Sequence, residues 1–198
     1  RKIETIAAGL KSVATWHATR TIQECREACG GKGYLQENRL SDIKADADIF
    51  TTFEGDNTVL MQLVAKGLLT EFKQSFHDDG YKAVVSFLFT KVKNVIDEHR
   101  PIVKRNTDTS HLLSKEFQMH AFKYRYKKNL ISLSERMRKY LKRRIDPFQA
   151  FLRTQEHMIE LAHAYVEYLT LQSFYKRIDV QDNETIKAVL EKVCSLYA

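Results

Sequence analysis

The sequence has few of the residues that interrupt regular structure: 7 glycines and 2 prolines in 198 residues. That scarcity excludes a turn-rich chain and leaves long helices as the dominant element. Cysteine is scarce too, with only Cys25, Cys29 and Cys194. An odd count excludes a closed disulfide framework and points to a reducing compartment. No apolar run approaches a membrane span, and no signal-peptide pattern opens the chain. What remains is a globular helical protein. The composition suits it, because 43% hydrophobic residues can bury a core while 29% charged residues solvate its surface.

The formal charge of +7 permits an anionic partner, such as nucleic acid, acidic lipid or coenzyme phosphates, without choosing among them. Cys25 and Cys29 share a helix face. A metal site there would need two further ligands nearby and none is present, so the thiols read as structural and no metal is expected. Arg1 opens directly onto a helical pattern and Ala198 closes inside one, which suggests a piece of a longer protein.

Helical periodicity organises nearly the whole chain. Ile3, Ile6, Ala7, Leu10, Val13 and Ala14 recur at helix spacing, and the pattern predicts a helix over Lys2–Cys29 that Gly30 and Gly31 end. From Lys32 to Thr52 the period is lost and an ordered loop is expected. Asp56 or Asn57 can cap a helix whose inner face carries Leu60, Leu63, Val64, Gly67, Leu68 and Phe72. A break at Asp78-Asp79-Gly80 precedes a helix near Tyr81–Glu98. The charged stretch His99–Thr109, which contains Pro101, reads as a linker.

Beyond it, one amphipathic helix is expected over Ser110–Arg143, with Tyr124, Met137 and Leu141 toward the core. Pro147 suits the first turn of a following helix that carries Phe151, Ile159, Ala162, Val166 and Leu169. Asn183 caps a last one holding Ile186, Val189, Leu190 and Val193. The expectation is an all-α protein, with a helical-bundle part over 1–99 and a second helical domain over 100–198.

Two stretches can carry chemistry. Gly30-Gly31-Lys32-Gly33-Tyr34 offers bare backbone to a phosphate or a flat ring. It follows a helix, not a strand, so it is no dinucleotide fingerprint. Taken alone the signal is weak, and a plain helix stop is the better explanation. In Thr52-Phe53-Glu54-Gly55-Asp56-Asn57, a carboxylate sits between an aromatic residue and a glycine just before a helix. Glu54 can serve the positive end of that helix, an effect of roughly 0.3–1 kcal/mol. Alternatively it is a general base on a hinge, beside apolar surface that strengthens a carboxylate as a base.

Three linked stretches resemble the acyl-CoA oxidases in order and interval. They are Ala14-Thr15-Trp16-His17-Ala18-Thr19, then Ile22 through Tyr34, then Thr52 through Leu60. The motif resemblance runs from about Ala8 to Phe76, and beyond that it is one of helical layout. It implies the C-terminal part of the acyl-CoA dehydrogenase/oxidase fold plus an extra C-terminal helical domain. It implies FAD as cofactor, fatty acyl-CoA and O₂ as substrates, and a homodimer.

By the same resemblance, Glu54 removes the α-proton of the acyl-CoA and the β-hydrogen leaves as hydride to the flavin. The product is trans-2-enoyl-CoA, and O₂ becomes hydrogen peroxide. The backbone N–H of Glu54 helps bind the thioester oxygen, with Gly55 beside it at the substrate. Gly30 and Gly31 let backbone approach the dinucleotide part of FAD, that of a neighbouring subunit, and Asp56 and Asn57 lie near the cofactor.

An acyl-CoA dehydrogenase passing electrons to a flavoprotein is the nearer alternative. Dehydrogenases usually read Glu-Gly-Thr where this chain has Glu54-Gly55-Asp56, and they end soon after the next helix. The other alternative is a non-catalytic basic helical module for binding or dimerisation. It rests on Lys123-Tyr124-Arg125-Tyr126-Lys127-Lys128 and on Arg136, Arg138, Lys139, Lys142, Arg143 and Arg144. A solvated helix face explains that stretch without nucleic acid. Trp16 and His17 read as packing residues, and His157 and His163, six apart, lie on different helix faces. The compartment expected is the cytoplasm in a bacterium and the peroxisome in a eukaryote. The chain alone is expected to be inactive and to retain no FAD.

Overall fold

The computed structural model describes residues 2–78 and 108–198. All their regular elements are helical, and no strand occurs among them. In chain order they are α1 (Lys2–Ala28), two short 3₁₀ turns (Gly30–Tyr34 and Gln36–Asn38), α2 (Leu40–Ile49), α3 (Asn57–Asp78), α4 (Thr109–Leu112), α5 (Lys115–Lys142), α6 (Pro147–Leu152), α7 (Gln155–Asp179) and α8 (Glu184–Tyr197). The helix expected near 81–98, most of the linker and the domain boundary expected between 99 and 100 lie outside the described residues. By spatial clustering the chain divides into one compact unit of residues 1–67 and 126–167 and another of 68–125 and 168–198.

In the first unit the core is formed by Met61, Val64, Leu133, Met158, Leu161 and Val166, all at or near full burial. The helix α1 runs as its periodicity predicts, but the face it buries differs. Thr5, Ala8, Gly9 and Ser12 are buried, whereas Ile3 is 82% and Leu10 48% exposed. Close helix contact is the reason. A Cβ on Gly9 would stand 2.6 Å from a Val166 methyl carbon and 3.5 Å from one of Val64, so only small residues fit where α1 meets α3 and α7.

Where a loop was expected over 32–52, the structure has two 3₁₀ turns and a helix, α2. Leu40, Lys44 and Ala47 turn to its partly covered side, and Lys44 interrupts what would otherwise be an apolar stripe. With no buried residue, α2 leaves no hydrophobic period to read. It is held by side-chain bonds instead. Lys44 Nζ lies 2.6 Å from the Asp48 carboxylate, and Thr19 of α1 donates to the same group. Lys44, then the Thr19 hydroxyl, hold that carboxyl below the usual Asp range.

Two further expectations need correction. The single helix foreseen over 110–143 is divided at Leu113–Ser114, because Ser114 acts as a fresh start. Its hydroxyl accepts from Phe117 N–H at 3.3 Å. The helix beginning at Pro147 stops at Leu152 and α7 begins at Gln155, with the buried Thr154 between them donating its hydroxyl to Ala150 and Phe151 carbonyls. Asp146 caps α6 through Phe148 and Gln149 N–H, with Pro147 in the first turn. Asn183 caps α8 through Thr185 and Ile186 N–H. On α5, Tyr124 and Leu141 are 38% and 48% exposed, so the core of that helix comes from Leu130 and Leu133 instead.

The second unit packs Leu171, Tyr175, Ile178 and Cys194 together, with Met119, Phe122, Phe174 and Leu190 around them. Tyr175 donates its phenol proton to Gln118 inside this core, and burial, then the neighbouring Cys194, push the phenol up to about 12. Burial raises the Cys194 thiol as well, which makes it an inert packing residue.

Candidate active site

The turn joining α2 to α3 is tightly held. It closes through Phe53 N–H to Ile49 O at 2.8 Å and Asn57 N–H to Thr51 O at 3.0 Å. Between those two anchors Glu54 adopts the left-handed conformation at φ 59° and Gly55 follows at φ 108°. A non-glycine residue held there costs on the order of 1–3 kcal/mol and persists only where its surroundings enforce it. Gly55 meets the need for a backbone that L side chains rarely adopt, and Glu54 bears the strain.

The surroundings that enforce it come from α1. Lys11, Ser12 and Thr15 occupy one face of that helix, and all three reach the turn. Lys11 Nζ donates to Gly55 O at 2.7 Å and to Asn57 Oδ1 at 2.9 Å. The Asn57 amide donates to Thr15 Oγ1 at 2.8 Å and to Ser12 O at 3.3 Å. Ser12 Oγ reaches Asn57 O at 3.3 Å. Asn57 is 1% exposed, so its side chain is fully committed to this clamp. Asp56, not Asn57, is the cap of α3: its Oδ1 accepts from Thr58 N–H at 2.9 Å and Val59 N–H at 3.2 Å.

The Glu54 side chain is exposed on this chain. Its flank is apolar. Phe50 and Phe53 form an edge-to-face pair at 6.2 Å, each more than half exposed, and Val59 beyond the turn is 60% exposed. Among the described residues the backbone N–H of Glu54 makes no hydrogen bond. The turn therefore presents a carboxylate, a free amide donor and aromatic surface together. The open groove of about 640 Å³ lined by Leu113, Ala188, Glu191, Lys192, Ser195 and Leu196 lies in the second unit and contains none of these groups.

The glycine stretch divides into three different roles. Gly30 takes φ 56° just past the end of α1. Gly33 is buried, and a Cβ there would stand 2.1 Å from the backbone oxygen of Arg26. Around Gly31 a Cβ would meet nothing within 4 Å, and the residue is exposed. Among the described residues nothing accounts for a glycine at 31. Arg26 stacks over the exposed Tyr34 ring at 4.4 Å beside it. This stretch and the Glu54 turn are both in the first unit, one beyond each end of the region where α2 lies against α1.

Trp16 stacks on His163 at 5.4 Å, a packing contact between α1 and α7. Among the described residues the buried Nδ1 of His157 has no hydrogen-bond partner, and desolvation, then Arg136, lower its pKa. Cys25 and Cys29 are exposed, and no cluster of metal-ligating side chains occurs among the described residues. Sequence reasoning missed Lys11, Ser12 and Thr15. Their spacing of one and three residues was the only signal, and it is common to every helix.

Comparison with known proteins bears on the same stretches. A family model for the acyl-CoA oxidase C-alpha1 domain matches residues 1–69, and a second acyl-CoA oxidase model matches residues 114–198. The chain is 35% identical over 196 residues to the peroxisomal acyl-coenzyme A oxidase 2 of Arabidopsis thaliana, covering 99% of this chain and 28% of that protein. Among solved structures it resembles acyl-CoA oxidase 1 of Yarrowia lipolytica at a TM-score of 0.80 and 28% identity, over 99% of this chain and 27% of that one. Acyl-CoA oxidase-2 of Caenorhabditis elegans, solved with FAD, ascaroside-CoA and ATP, shares the fold at a TM-score of 0.78 and 19% identity, over 99% of this chain and 28% of that one. The chain thus spans less than a third of the length of these relatives. With two family models covering all but residues 70–113, and an all-helical fold shared with solved oxidases, the chain belongs to the acyl-CoA oxidase family, whose C-terminal helical region it matches.

Proposed function

We propose that this chain is the C-terminal helical region of a flavin-dependent acyl-CoA oxidase, and that Glu54 is the base that removes the α-proton of a fatty acyl-CoA. The observation that carries this reading is the strained turn. Glu54 stands in the left-handed region, clamped from α1, with an unused amide donor and an exposed aromatic flank. Strain of that kind is retained where positioning matters.

The chemistry asks for such an arrangement. A proton beside a thioester is weakly acidic, so the base must be held within hydrogen-bond reach, which is worth roughly 10²–10⁴-fold. As the proton leaves, negative charge develops on the thioester oxygen. The Glu54 N–H is the donor this chain offers to that charge, and Gly55 leaves room beside it. When bound, FAD supplies the acceptor for the β-hydrogen and returns the electrons to O₂. The product is trans-2-enoyl-CoA and the by-product is hydrogen peroxide.

The residues present suit FAD. Gly30 and Gly31 offer bare, exposed backbone with open space at Gly31, the cradle that a dinucleotide from a neighbouring subunit would fill. Asp56 and Asn57 would act indirectly, by capping α3 and holding the turn, since their polar atoms already serve those roles. This assignment makes a homodimer part of the function. It also separates two glycines. Gly31→Ala should leave the melting temperature within a degree or two while weakening FAD retention. Gly33→Ala forces the Arg26 backbone to move and should cost about 1–3 kcal/mol. Equal FAD content in wild type and Gly31→Ala, measured by flavin absorbance after gel filtration, would remove Gly31 from the site.

Oxidase is favoured over dehydrogenase because the second family match extends over 114–198, the region after the linker. In the full-length enzyme with palmitoyl-CoA, hydrogen peroxide should accumulate one for one with enoyl-CoA. Turnover that needs an added electron-transfer flavoprotein would reassign the chain to a dehydrogenase. Among the described residues no helix is long and apolar enough to cross a membrane, and neither membrane nor nucleic acid is part of the reading. The peroxisomal names of several relatives support a peroxisomal enzyme if the source is a eukaryote, and in a bacterium it would be cytoplasmic.

A further inference from the structure

We infer that Lys11 is a positioning residue for the proton-abstraction step, acting through the Gly55 carbonyl. The inference rests on Glu54 as the base. On the N-terminal side of Glu54 the Thr52 and Phe53 N–H groups both bind Ile49 O, and beyond it the next backbone anchor is Asn57 N–H on Thr51 O. On its C-terminal side the next residue is Gly55 at φ 108°, the most permissive residue type in a conformation that has no regular hydrogen-bond partner of its own. Between those anchors the Gly55 peptide is the most easily rotated link, and its rotation would re-aim Glu54.

Lys11 removes that freedom. Its ammonium holds Gly55 O at 2.7 Å and ties the same point to Asn57 Oδ1 at 2.9 Å. Both bonds have an ionised donor, so both are of the stronger, shorter kind. Asn57 is locked in turn by Thr15 and Ser12 of α1. The clamp therefore fixes the Gly55–Asp56 peptide to a rigid helix, and so limits, one residue away, how far the backbone that carries the Glu54 carboxylate and N–H can swing. Lys11 does not itself need to touch the substrate. Its effect is on how often the base and the oxyanion donor are both aimed at their atoms, which is a kcat effect.

The test is Lys11→Met in the full-length FAD-bound enzyme, assayed with palmitoyl-CoA and its α,α-dideuterated form, with rates counted per bound flavin. The expected result is a kcat lower by about 10-fold or more, a KM within twofold of wild type, and a larger deuterium isotope effect as proton abstraction becomes slower than the other steps. A kcat per flavin and an isotope effect equal to wild type overturn the inference, even where the flavin content falls, because the lysine would then only support the fold.

If Lys11→Met retains no flavin, Lys11→Arg decides. Arg keeps the charge, but its longer planar fork displaces the donors from where the Lys11 ammonium meets the Gly55 and Asn57 oxygens, so kcat should still fall at constant KM. Wild-type behaviour, or failure of this variant to fold as well, overturns the inference. Glu54→Gln in the same assay keeps the two questions apart. An active Glu54→Gln enzyme removes the base reading whatever Lys11 does. An inactive one beside a normal Lys11→Met removes only the role of Lys11.

Discussion

Glu54→Gln in the full-length enzyme should lower kcat for palmitoyl-CoA by about 10²–10⁴-fold, with bound FAD retained and the melting temperature close to wild type. The side chain is exposed and has no hydrogen bond or ion pair among the described residues, so the substitution removes a base and little else. Gln has the same length and keeps the backbone N–H. Binding of acyl-CoA should therefore persist, and KM should change far less than kcat. The cleanest reading is anaerobic, where mixing the variant with substrate should leave the flavin oxidised over the time in which wild type bleaches. Bleaching at the wild-type rate would show that another group takes the proton and would dismiss Glu54 as the base.

Asn57→Ala should be the most damaging single change to the turn, costing about 2–4 kcal/mol of stability. Asn57 is 1% exposed, and its side chain accepts from Lys11 and donates to Thr15 and Ser12. Truncation leaves an ammonium and buried oxygens of α1 without the partner around which they are arranged. The cost of an unmade buried hydrogen bond exceeds what the same bond contributes when formed. The damage should also reach the site, because the turn carrying Glu54 loses its tie to α1. Thermal unfolding of the variant should fall by several degrees, and the loss of activity per folded molecule should exceed that of Ser12→Ala, which leaves the amide network in place. An unfolding midpoint within a degree of wild type would mean that the clamp carries little of the fold.

Much of the helical layout was legible because its signals are local. Long stretches without glycine or proline, Asp56, Pro147 and Asn183 at helix starts, and Gly30 past a helix end each act within one turn of the backbone. The helix α2 was not legible, because it buries no residue and is held by Lys44, Asp48 and Thr19. The division at Leu113–Ser114 was missed for a related reason, since the apolar spacing runs across it while a hydroxyl resets the hydrogen bonding.

The candidate site was legible only in part. Glu54 is conspicuous because it stands between an aromatic residue and a glycine at a helix mouth. The buried face of α1 is the opposite case. Its apolar stripe of Ile3 and Leu10 faces outward, and the face that packs is Thr5, Ala8, Gly9 and Ser12. Periodicity reports that a helix has a face but not which face a neighbour will approach closely.

The chain's own residues therefore determined that it is helical, where most helices begin, and which carboxylate stands at a turn. Only the tertiary structure decided that Lys11, Ser12 and Thr15 grip residues 55–57, that Asn57 points inward while Asp56 caps, and that Gly33 is needed for space while Gly31 is open. Caps and periods depend on neighbours a few residues away, which any sequence displays. A clamp between residues more than forty positions apart depends on how closely two helices approach, and that distance is set by the packing of the whole core.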